Sequence, residues 1–159
     1  MKLALRYELP DDAPAKSVIG GALIEGRLVT KYAHGGIVVG ADLYHSNAAH
    51  GVHCEANADL SGWLLIDLGD ELDARALVLF EAVRGLDYDW FSLSAFVVAP
   101  TARDSQRWYC FELCFLLMTG CIPLERVTGE ALLVLALQRA GLLLTAPPVF
   151  KSRPMEIAA

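Results

Sequence analysis

Cys110 stands in the stretch Trp108-Tyr109-Cys110-Phe111-Glu112-Leu113-Cys114, where two aromatic residues run into an apolar segment. His34 stands in Tyr32-Ala33-His34-Gly35-Gly36-Ile37-Val38-Val39-Gly40, at the mouth of a β-branched run. A free thiol is mostly protonated at neutral pH and reacts poorly. In the first turn of a helix, unpaired backbone N–H groups and the helix dipole stabilise the thiolate. The same amides can hold the oxyanion of a tetrahedral intermediate. An imidazole is still needed, either to take the proton or to hold an ion pair with the thiolate. His34, His45, His50 and His53 are available, and His34 at a strand mouth is the best placed of them. A third polar group must orient its ring. His45 lies eleven residues further on, so two antiparallel strands joined by a tight turn bring both side chains to one face. Ser46 is the neighbouring alternative. The chemistry these types allow is cysteine-dependent acyl transfer, with Cys110 as nucleophile, His34 as base and His45 as the orienting group. Tyr88, Ser46 and Trp108 are candidates for lining the substrate site.

The elements that position these groups follow from periodicity. Lys2 to Glu8 alternates apolar and polar residues and predicts a short strand. Ala15 to Arg27 has helical spacing, interrupted by Gly20-Gly21. Gly35 to Val39 is bounded by glycine and predicts a buried strand, with Ala41-Asp42 as a turn and Leu43 to Ser46 returning as a hairpin partner. Gly51 to Glu55 and Gly62 to Asp67 are further strands, the second with Trp63 on a packed face. Asp70 to Arg84 is an amphipathic helix stopped by Gly85. Tyr88 to Val98 is a short aromatic-rich helix, and Thr101 to Arg107 a polar loop. Cys110 to Thr119 is apolar nearly all round and predicts a central buried helix, with Cys114 in the core and Cys121 packing at its end. Thr128 to Ala140 is a helix capped by Thr128 and Gly141. Leu142 to Phe150 returns as an edge strand. With strands first and helices later, no repeats and no linker, the order predicts a single α+β domain over residues 1–159.

The bulk composition limits the choices. The chain has 159 residues, 55% of them apolar and 20% charged, enough for one domain with its own core. Its net charge is −6 and its isoelectric point about 5.1, which argues against nucleic acid as a partner. Mean hydropathy is +0.40, high enough to suit a surplus core, an apolar substrate or a homodimer. The most apolar run, Ala131 to Leu144, is too short to span a bilayer and is interrupted by Gln138 and Arg139. The N-terminal stretch is too polar for a signal peptide. A cytoplasmic protein is expected, with Cys54, Cys110, Cys114 and Cys121 as thiols.

These residues resemble the circularly permuted papain-fold proteins of the NlpC-like superfamily. That group includes YiiX-like hydrolases, related phage-encoded proteins and the lecithin retinol acyltransferase family. Its members carry a histidine in a "ySHvGiv-G" context, matched by Tyr32 to Gly40, and later a cysteine in a "W-C-S-E-L" context, matched by Trp108 to Leu113. Gly85-Leu86-Asp87-Tyr88-Asp89-Trp90 matches an intervening "G-x-Y-D-W/Y" element. The histidine precedes the cysteine, the reverse of ordinary papain-like order. The resemblance covers Ala15 to Gly141. It implies a small antiparallel sheet packed on a central helix with the cysteine at its N-terminus. It also implies Cys110 as nucleophile and His34 as base, no cofactor, and an acyl substrate that is a small molecule, a peptide or a lipid. A second histidine one hairpin after the first, as in the acyltransferase branch, corresponds to His45. Phe111 stands where the pattern has serine after the cysteine, and Ala33 where it has serine before the histidine. The "G-D-hydrophobic" strand that often begins the hydrolase domains is also missing.

Two other readings compete. His50-Gly51-Val52-His53-Cys54, with His45 nearby, offers zinc-type ligands. Against it, His53 and Cys54 would point to opposite faces of a strand. The other reading is an interaction or virion-associated protein that keeps the fold and has lost the chemistry, which the apolar composition and Phe111 suit. Asp70-Glu71 fits a helix N-terminus, Asp87 and Asp89 fit a turn, and Gly35-Gly36 enters a strand, unlike a phosphate loop.

Overall fold

In the computed structural model the described residues are 1–7, 31–89, 107–143 and 150–156. Five strands form one antiparallel sheet: β1 (Lys2–Arg6), β2 (His34–Val39), β3 (Asp42–Asn47), β4 (Gly51–Glu55) and β5 (Trp63–Asp67), in the order β4-β3-β2-β1-β5. Helix α1 (Asp73–Val83) follows, then two strands of two residues each, β6 (Asp87–Tyr88) and β7 (Arg107–Trp108), which run parallel. Helix α2 (Cys110–Thr119), β8 (Cys121–Pro123), α3 (Gly129–Arg139) and β9 (Ser152–Pro154) complete the described chain, β8 pairing with β9. The architecture is α+β, with three helices and a five-stranded antiparallel sheet among the described residues.

Strand alternation gives the sheet two unlike faces. Leu3, Leu5, Ile37, Val52 and Ile66 lie on one face and enter the main core with α1 and α2. Ala4, Val38 and Leu43 lie on the other, under Ala58, Leu60 and Trp63. Nine of the ten residues of α2 are buried, which is why its sequence is apolar on every side. Gly120 ends it at φ +76°, and its N–H bonds to the Leu116 carbonyl. Thr128 caps α3 by accepting the Ala131 N–H. Gly141, at φ +70°, closes the helix as a Schellman turn: its N–H reaches the Gln138 carbonyl and that of Leu142 the Leu137 carbonyl.

Several boundaries differ from the sequence expectation. The β2–β3 turn is Gly40-Ala41 rather than Ala41-Asp42, because its first position needs φ +64° and only glycine takes that without strain. Helix α1 starts at Asp73 rather than Asp70; residues 70–72 form a turn in which the Asp73 N–H bonds to the Asp70 carbonyl. Tyr88 belongs to β6 rather than to a helix, since its backbone pairs with Trp108. Arg107 opens β7 rather than closing a loop. Of the edge strand expected over 142–150, the described residues 142, 143 and 150 are not extended; the returning strand is Ser152–Pro154, past the Pro147-Pro148 pair, which offers no N–H for a ladder. The helix expected over 15–27 and most of the one expected over 88–98 lie outside the described residues.

Candidate active site

Cys110 is the first residue of α2, and Tyr109 before it is extended. Two neighbours hold that helix start in place. The Tyr109 hydroxyl donates to the Val127 carbonyl at 2.9 Å and accepts the Val127 N–H at 3.0 Å. The Ser46 hydroxyl, fully buried, donates to the Trp108 carbonyl at 2.7 Å. The sulfur therefore sits at the end of β2, where pairing with β3 stops after Gly36 and His45. The backbone amides of Gly35, Phe111 and Cys110 itself favour its thiolate. Burial nevertheless dominates and pushes the thiol up to about 12; the three amides oppose this, and the Glu112 carboxylate adds to it. The Cys110 side chain has no accessible surface.

His34 and His45 are in direct contact, His34 Nε2 to His45 Nδ1 at 2.8 Å. Both rings are held neutral at pH 7. Burial lowers His34 to about 4, helped by His53 and Arg6. Burial lowers His45 well below the usual range, helped by His34, His53 and His50. The His34 ring also meets Trp63 edge-on, with centroids 5.7 Å apart, and the Arg6 guanidinium lies over that indole. Alternation sends the His34 side chain, like those of His45 and Trp63, to the sheet face opposite α2, and turns Gly35 toward the helix. His34 thus faces away from the helix that carries Cys110, and the next residue, Gly35, faces toward it.

The glycine pair is explained by crowding on both faces. A Cβ on Gly35 would stand 2.9 Å from Phe111 Cδ1 and 3.4 Å from Cys114 Sγ. A Cβ on Gly36 would stand 2.6 Å from Leu43 Cδ1 and 3.2 Å from His45 Cβ. In the motif the chain resembles, the position after histidine is apolar and the position after cysteine is serine. Here glycine stands at 35 and phenylalanine at 111, and the Phe111 ring occupies the space beside the Gly35 backbone.

The proposed substrate-lining residues are all buried: Tyr88 at 7% exposure, Trp108 at 2% and Ser46 at 0%. Tyr88 is nevertheless near the sulfur. Burial raises its phenol first, followed by Cys110, Tyr109, Asp89 and Glu112. Ser46 lies on the α2 face and does not share the His34–His45 face. Cys114 is core, at 0% exposure. His53 pairs with His45 across the hairpin, while Cys54 faces away beside Tyr44. Among the described residues no group of three potential ligands is arranged to hold a metal ion.

Three participants were not evident from the sequence: the Gly35 amide, which favours the thiolate, His53 packed on His45 at 4.2 Å between centroids, and the Glu55 carboxylate 3.8 Å from His45 Nε2. The last two were within reach of period-two reasoning, since His53 and Glu55 share a face of β4. Compared with known protein families, with curated proteins and with solved structures, the chain matches none of them.

Proposed function

We propose that the protein is a cysteine-dependent acyl-transfer enzyme of the permuted papain type, a hydrolase or acyltransferase acting on an amide, ester or thioester. The observation that carries this reading is Cys110 at the first turn of α2, where the backbone amides of Gly35, Cys110 and Phe111 favour its thiolate, with Gly35 following in the chain a histidine whose Nε2 lies 2.8 Å from a second histidine. Cys110 Sγ–H gives its proton to His34 Nδ1 as sulfur attacks the acyl carbon. The amides of Gly35, Cys110 and Phe111 are available to the developing negative charge. Collapse breaks the bond to the leaving group, which takes the proton from His34. Water or another nucleophile then attacks the thioester, with His34 accepting its proton, and the thiol is restored. With a neutral thiol and neutral imidazoles, His34 is a general base rather than half of a resting ion pair. The step requires substrate to reach a covered sulfur, and the His34 ring to turn past the Gly35 peptide at the strand end.

A thiol-directed acyl probe tests the reading. It should label the wild type and leave Cys110→Ala unlabelled; equal labelling of both removes Cys110 as nucleophile. A second reading, a relative that keeps the fold without the chemistry, is favoured by the zero exposure of Cys110. It gains the case if the probe labels neither protein.

A further inference from the structure

The Glu55 carboxylate lies beside the histidine pair and has no part in the steps above. We propose that Glu55 is a positioning residue that fixes the tautomers of His45 and His34, so that His34 presents Nδ1 as a lone pair. The inference rests on the acyl-transfer reading for its consequence. His45 Nε2 is buried and makes no hydrogen bond, and Glu55 Oε2 lies 3.8 Å from it. Exactly one proton can occupy the short contact between two neutral rings, which leaves two arrangements. If His45 Nδ1 carries it, His45 Nε2 turns a buried lone pair toward a carboxylate, and the two repel. If His34 Nε2 carries it, His45 Nε2 is an N–H facing the carboxylate, which attracts. The second arrangement also leaves His34 Nδ1 unprotonated, as a base for a thiol must be.

The neighbouring ring does not compete for the same role. His53 Nδ1 lies 3.0 Å from the Gly51 carbonyl, which can only accept, so that nitrogen carries the proton. Its Nε2 then accepts from the Asn47 amide at 3.4 Å. His53 therefore packs against His45 with both nitrogens committed to other partners, and Glu55 is the carboxylate that faces His45 Nε2. Glu55 itself is 54% exposed, so it can be changed without opening the core.

Imidazole ¹⁵N spectra of the full chain test this directly. His45 and His34 should both appear as Nε2–H tautomers in the wild type. Glu55→Gln, which keeps an acceptor oxygen, should preserve them. Glu55→Ala should shift His45 toward a mixture. The Cys110 acylation rate with p-nitrophenyl acetate should fall on the order of tenfold in Glu55→Ala and recover in Glu55→Gln, since a misplaced proton disables a general base. An Nδ1–H tautomer for wild-type His45, or spectra unchanged in Glu55→Ala, overturns the inference. If Cys110→Ala reacts with the ester as fast as the wild type, the acyl-transfer reading fails instead, and the spectra still decide the role of Glu55.

Discussion

A cysteine at a helix N-terminus is ordinarily expected to be acidic, and Cys110 shows what burial does to that expectation. Three amides favour the thiolate, yet withdrawal from water outweighs them and leaves the thiol at about 12. Reactivity should follow. The rate of alkylation by iodoacetamide at Cys110 should climb about tenfold per pH unit from pH 7 to 9, because the thiolate fraction grows at that rate well below the pKa. Peptide mapping of the alkylated protein would measure it. A plateau below pH 8 would mean that the sulfur is already ionised, and the resting site would then be an ion pair. The candidate residues were legible by type and context: Cys110 opens α2, His34 opens β2, and His45 lies on the returning strand β3. The pKa order among them was not legible, because it depends on burial, which is a property of everything packed around them.

At the scale of elements, β2 and α2 are fitted to each other through one size exchange. Gly35 makes room for Phe111, and the ring closes the space over the strand. Placing a larger residue on the strand alone, as Gly35→Val, should destabilise the protein by about 1–3 kcal/mol through overpacking. Adding Phe111→Ser should recover part of that loss, because the two sites share one volume. Urea unfolding of both single variants and the double variant gives the coupling. Strictly additive losses would show that ring and glycine are independent. The elements themselves were readable where periodicity was strong: the buried helix, the hairpin strands and the Thr128 cap all lie within a few residues of expectation. The misplaced boundaries are those set by backbone conformation or remote pairing, such as the turn at Gly40 and the strand β6 made by Asp87 and Tyr88 against β7.

For the whole molecule, the buried histidines tie stability to pH. His34 is lowered from 6.5 to about 4, so between those values the unfolded chain binds a proton that the folded chain refuses. Stability is therefore full above about pH 6.5 and falls as the pH drops toward 4. The shift corresponds to at most about 3 kcal/mol from His34, and His45 acts in the same direction. Urea unfolding at pH 7 and pH 4.5 should show the loss, and a His34→Gln, His45→Gln double variant should lose much less over the same interval. A wild type equally stable at both pH values would mean that the rings are solvated. No helix among the described residues is long and apolar enough to cross a membrane.

By itself the sequence determined the α+β order, the apolar helix behind Cys110 and the hairpin that brings His34 and His45 to one face. These follow from local periodicity and turn chemistry, which each segment carries within its own few residues. Only the tertiary structure decided which sheet face each side chain occupies relative to α2, that Gly35 packs against Phe111, and that Glu55 stands next to His45. Those outcomes depend on strand register and on the docking of α2 at the end of β2. Residues far apart in the chain fix both jointly, so neither is written in any one segment.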